Sequence, residues 1–198
     1  MIDISLLRSL IWTDYRLAVV FTVLLPLALL VWSLIKRAEI QQLLLIIYWK
    51  VSSLLAITLY LMIGGFSISF VAALMARLLI PVSLWYWADV NEELREQPKS
   101  PLKLAFSAWR WAITFYCGLG VLFQIPFLRC GFSNAALGEP ACQAWLEAPR
   151  LYQTALHSGY TSGFLGFWGI VGLVIYILTL GYFVFFRMGR QGRSAINQ

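Results

Sequence analysis

Long apolar runs alternate with short polar stretches along this chain, and the runs have the length of membrane-crossing helices. A hydrocarbon layer about 30 Å thick is crossed by roughly 20 apolar residues in a helix. The first such run, Leu17–Ile35, is bracketed by Arg16 and by Lys36-Arg37. Pro26 near its middle predicts a kink, whose freed carbonyl a neighbouring helix has to satisfy. Between Gln41 and Trp87 the only charges are Lys50 and Arg77. Trp49 and Trp85 read as interfacial anchors, yet as one helix the stretch between them would extend about 54 Å, too long for a bilayer. A turn at Gly64-Gly65 resolves this and predicts spans at 46–63 and 66–87. The alternative is a single span at Val51–Ala76 with Leu78–Trp87 along the surface. Leu104–Leu128 and Thr161–Phe186 complete the set. Met1–Tyr15, with Asp3, Arg8 and Asp14, reads as an interfacial helix; it lacks the basic leader and small-residue cleavage site of a signal peptide. The expected architecture is all-α: one polytopic transmembrane bundle over residues 1–198, with five spans, or four in the alternative, and an interfacial N-terminal helix.

Composition agrees with that class. The chain of 198 residues is 61% hydrophobic and 12% charged, and its mean hydropathy is +0.77. A water-soluble domain with so few charges would be expected to precipitate. The net charge of +6 sits mainly at the ends of apolar runs, where cations set orientation and meet anionic headgroups, so it does not point to nucleic acid. The K/R-rich ends are the Ala88–Lys103 connection and the tail with Arg187, Arg190 and Arg193, which predicts a cytoplasmic C-terminus. The 129–160 loop then faces the lumen or periplasm, and with five spans the N-terminus joins it. Cys130 and Cys142 fall in that loop, on the oxidising face. They are expected to form a disulfide whose ring contributes about 3 kcal/mol if unstrained. Two free thiols or a metal site are the competing readings. His157, the single histidine, supplies no ligand set, and Cys117 is simplest as a small apolar side chain.

The candidate chemistry is sparse. No Asp or Glu falls within the predicted spans, which argues against proton-coupled pumps and cation channels. No histidine falls there either, so neither haem nor metal is expected, whereas backbone carbonyls leave room for a bound lipid or pigment. Lys50, Arg77 and Arg110 are the candidate anion- or lipid-binding residues. Lys50 and Arg110 are shallow enough to snorkel to headgroups. Arg77 lies about 15 Å below the Trp85–Trp87 belt and needs helix carbonyls, a lipid or cofactor anion, or another protein's acid. In the single-span alternative it becomes an ordinary helix-end cation. Gly163, Gly166, Gly169 and Gly172 recur at every third position and predict close helix packing. Phe164, Phe167 and Trp168 between them would face lipid or a partner.

Trp12-Thr13-Asp14-Tyr15-Arg16, the stretch from Arg77 to Glu93, and Gly163–Gly172 together resemble a family of uncharacterised cyanobacterial integral-membrane proteins. The resemblance covers nearly the whole chain and implies a thylakoid or plasma-membrane location, with no activity or catalytic residue to carry over. The leading expectation is a non-enzymatic accessory or assembly protein of a photosynthetic or respiratory membrane complex, partnered by its subunits and by anionic lipids. The alternative is a carrier of small anions or anionic lipids built on Arg77, with Lys50 and Arg110 as its entry. A membrane enzyme of lipid or pigment metabolism is the third reading, and no catalytic set can be named for it.

Overall fold

The computed structural model describes residues 3–188 and 194; Arg190 and Arg193 of the basic tail lie outside the described residues. Helix α1 runs unbroken over Ile4–Ile35, 32 residues. Asp3 caps it, accepting hydrogen bonds from the Ser5 backbone N–H at 3.2 Å and the Ser5 hydroxyl at 2.8 Å, which hold its carboxyl below the usual range. The expected boundary between an interfacial helix and a first span is absent. The reason is local: no glycine or proline stands between Ile4 and Leu25, so nothing interrupts the hydrogen-bond ladder.

Pro26 acts on that ladder as its chemistry requires. Its missing N–H frees carbonyls one turn upstream, and Val19–Leu24 widens into a π-helical turn. Two neighbouring helices supply the replacement donors. The Tyr48 hydroxyl bonds the Thr22 carbonyl at 2.7 Å, and Trp109 Nε1 bonds the Phe21 carbonyl at 2.9 Å. The same device recurs at Pro149, where the Tyr15 hydroxyl bonds the carbonyl of Trp145 at 2.8 Å. At Pro26 and Pro149 the proline thus opens an acceptor, and an aromatic side chain from another helix closes it.

After a tight turn with Arg37 at φ 51°, α2 covers Glu39–Ile63. Gly64 ends it, Gly65 takes φ 71°, and α3 returns over Ile68–Trp85. The region is two helices turning at the glycine pair. Helix α4 (Ala88–Glu96) is short and amphipathic. Ser100 caps α5 (Pro101–Gln124), which starts on proline, a residue whose fixed φ suits a first turn. Short helical turns lead to α6 (Pro140–Leu156), and Thr161 caps α7 (Ser162–Tyr182).

The long helices pass back and forth between two ends. At one end lie the start of α1, the α2–α3 turn and α6. The Arg8–Glu147 pair at 2.8 Å and the Tyr60–His157 contact at 3.3 Å bind them together. At the other end Gln41 meets Gln97 at 2.6 Å and Trp87 packs on Phe183, joining the start of α2, α4 and the end of α7. Helix α3 is central, with half of its most apolar stretch buried; α7 is peripheral, with 6%. Ile4–Ile35, Glu39–Ile63, Ile68–Trp85 and Ser162–Phe186 are long and apolar enough to cross a membrane, which suggests a multi-pass membrane protein. Helix α5 is of similar length but less apolar, carrying Lys103 and Arg110.

Candidate functional site

Midway between the two ends the bundle closes around a charge pair. Arg77 on α3 donates through Nη2 to Oδ2 of Asp14 on α1. The Tyr116 hydroxyl of α5 reaches the other carboxylate oxygen at 3.0 Å and the Asp14 carbonyl at 3.1 Å. The Tyr116 ring stacks on Phe21 of α1, with centroids 5.7 Å apart, and the guanidinium carbon lies 5.7 Å from the Tyr116 centroid. Three helices are therefore tied at one level. The pair separates an apolar cluster around Tyr48, Ile80 and Phe106 from another around Ile11, Phe70 and Trp145.

Gly120 makes room for the guanidinium. A Cβ at that position would stand 1.7 Å from Arg77 Nη1 and 3.2 Å from its Cδ. The arginine occupies the volume that any other residue at 120 would fill with its own side chain. Nη1 itself is buried with no hydrogen-bond partner among the described residues. Cys117, buried as a free thiol, sits on α5 beside Tyr116.

This corrects the expectation for Arg77, whose companion is a carboxylate of the same chain. Asp14 follows Asp3 and Arg8 in a stretch whose charges predict an interfacial helix. The signal that could have found it is the absence of any helix breaker between Asp14 and the apolar run that follows. Asp14 precedes the Leu17–Ile35 run on the same continuous helix, and from there its carboxylate reaches Arg77.

Arg110 is also buried, 4% exposed, and does not snorkel. Its Nη2 donates to the Leu84 carbonyl at 2.7 Å and to Asn91 Oδ1 at 2.5 Å, and its guanidinium carbon lies 4.1 Å from the Trp85 ring centroid. Asn91 in turn donates to the Trp85 and Trp87 carbonyls at 3.2 Å and 2.6 Å. Arg110 thus caps the C-terminal end of α3, where carbonyls are unsatisfied and the helix dipole favours a cation, and it anchors α4 there. Lys50 stands apart, exposed, beside a cleft between α2, α3 and α7. The three cations are in three different settings and do not converge on one anion site.

Cys130 and Cys142 form a disulfide, with Cα atoms 5.9 Å apart, and both are fully buried beside Phe70 and Trp145. His157 packs against Tyr60 and Tyr152 and hydrogen-bonds Tyr60. The glycines of α7 divide. Gly166 meets Gly64 backbone to backbone, Gly169 lies against the Tyr60–Leu61 backbone, and Gly172 against Ile57. Gly163, expected to share in this packing, has open space around it. Among the described residues no group of three or more His, Cys, Asp or Glu is placed to hold a metal.

No curated protein and no solved structure matches the chain. Residues 8–196, almost its entire length and including Asp14, Arg77, Tyr116 and both disulfide cysteines, match the family described as protein of unknown function DUF3177, and the chain belongs to that family.

Proposed function

We propose that this protein is a non-enzymatic accessory or assembly subunit of a larger membrane complex, plausible settings being photosynthetic or respiratory membranes of cyanobacteria. The observation that carries this reading is the aromatic surface turned outward on two helices. Trp111 and Phe115 on α5, and Phe164, Phe167 and Trp168 on α7, are all exposed. Aliphatic side chains suffice to face lipid tails, whereas protein interfaces are enriched in large aromatic residues that fill complementary pockets. The internal ion pair supports the same reading. With Asp14 already against Arg77, an incoming anion would have to displace a carboxylate, which removes the free guanidinium on which the carrier reading rested. The orientation that goes with the proposal puts α4 and the C-terminal end in the cytoplasm and the disulfide loop in the lumen or periplasm.

Solubilisation in a mild detergent followed by native electrophoresis tests the role. The expected result is a tagged protein that migrates with other subunits well above its own mass of 22.5 kDa. Substituting Phe167 and Trp168 together by leucine should release it while leaving its thermal midpoint in detergent unchanged. A wild-type monomer that never enters a larger assembly overturns the proposal.

A further inference from the structure

Helix α7 meets α2 closely at Gly166, Gly169 and Gly172, and from there carries larger side chains toward its neighbours. The result is a half-open cleft of about 800 Å³ between α2, α3 and α7. That is within the range of roughly 300–1,000 Å³ typical of sites for small organic ligands. It runs from Ile57 and Gly172 to Tyr86 and Trp87, and its walls are mostly aliphatic and aromatic.

Among the described residues one charge lines it: Lys50 is the only ionic side chain in the lining, no carboxylate lines it, and Lys50 forms no ion pair. The hydroxyls of Ser53, Ser83 and Thr179, which also line the cleft, donate to carbonyls of their own helices. Their hydrogens are committed; Trp87 Nε1, which also lines the cleft, has no hydrogen-bond partner among the described residues, and the ammonium is the lining donor that carries a charge. An ammonium beside an apolar cleft in a membrane favours an anion at its head and a hydrocarbon chain behind it. Neither water nor a free inorganic anion would fill the apolar length of the cleft.

We infer that this cleft binds one membrane lipid with an anionic headgroup, its chain lying between α2, α3 and α7 and its headgroup paired with Lys50. The site is separate from the Asp14–Arg77 pair, goes beyond the accessory role, and stands whether or not a partner complex exists.

The test uses the full chain purified in a mild detergent, titrated with phosphatidylglycerol and with phosphatidylcholine of the same acyl chains, and read by native mass spectrometry. One tightly retained phosphatidylglycerol is expected, preferred at least ten-fold over phosphatidylcholine. Lys50→Gln should erase the preference, Lys50→Arg should keep it, and Lys36→Gln, outside the cleft, should leave it unchanged. Thr179→Trp, which fills the cleft from an exposed position, should lower occupancy by both lipids. Equal retention of the two lipids by the wild type, or an undiminished preference in Lys50→Gln, overturns the inference. Displacement of phosphatidylglycerol by millimolar inorganic phosphate also overturns it, because the site would then read the anion without the chain.

Discussion

At the scale of single residues, the Asp14–Arg77 pair stabilises the bundle only as a pair. Burying two charges costs solvation that their attraction roughly repays, so replacing both with apolar groups is often neutral, whereas removing one leaves the other stranded. Asp14→Asn and Arg77→Ala should each destabilise the protein by about 3–5 kcal/mol. The double variant Asp14→Leu/Arg77→Met should recover more than half of that loss. Denaturant titration in detergent micelles measures all three, and equal additive losses would show that the two side chains act separately. Gly120 offers a second probe of the same contact. A methyl group there displaces the guanidinium, which can swing away only by leaving Asp14. Gly120→Ala should therefore cost about 1–3 kcal/mol as an overpacking substitution, while Gly118→Ala, with nothing within 4 Å, should be neutral or slightly stabilising. In an Arg77→Ala background the Gly120→Ala cost should vanish. Persistence of the full cost there would mean that the methyl group strains something other than the arginine.

At the scale of helices, the notable device is the aromatic side chain that answers a proline. Pro26 opens the ladder of α1, and Tyr48, fully buried on α2, satisfies the Thr22 carbonyl. Tyr48→Phe keeps the ring and removes only the donor, leaving a buried acceptor unpaired at a cost of about 1–3 kcal/mol. Pro26→Leu restores a backbone N–H to the ladder and should make Tyr48→Phe nearly silent; the coupling is read from thermal midpoints of the four-protein cycle. The carbonyl freed at Pro26, the glycine-pair turn and the two-helix solution of the long apolar region were legible in the sequence, because each follows from local geometry or from bilayer thickness. The partners were not. Asp14 and Arg77 are 63 positions apart, and Tyr116 is 102 from Asp14. Nothing local says which helix faces bring them together. The position of Arg110 along α5 predicts a shallow cation, whereas its anchoring role depends on Asn91 and the end of α3. Gly163 shares the spacing of its three neighbours in sequence but lies past the crossing with α2.

At the scale of the whole molecule, the two ends differ in how they are built. The end holding α6 is closed by the disulfide, by the Arg8–Glu147 pair and by the aromatic group around Trp145. The opposite end is closed by α4, anchored through Arg110 and Asn91. Because α1 starts at the first of these ends and α5 returns to it, the number of crossings before residue 125 must be even. The start of the chain and the disulfide loop consequently lie at the same end of the bundle. Helix α5 is less apolar than the other long helices, yet its length bridges the same two ends, and its buried Arg110 is held by Leu84 and Asn91. An epitope tag before residue 4 and another inserted after Gly138 should therefore be reached from the same side of sealed vesicles. A tag inserted after Lys99, an exposed position between α4 and α5, should be reached only from the other side. Accessibility of the first tag together with the Lys99 tag would mean that one of α1, α2 and α3, the long helices between them, fails to cross. In that event Asp14 and Arg77 could not meet at mid-depth, and the ion pair at the centre of the bundle would have no place in the membrane.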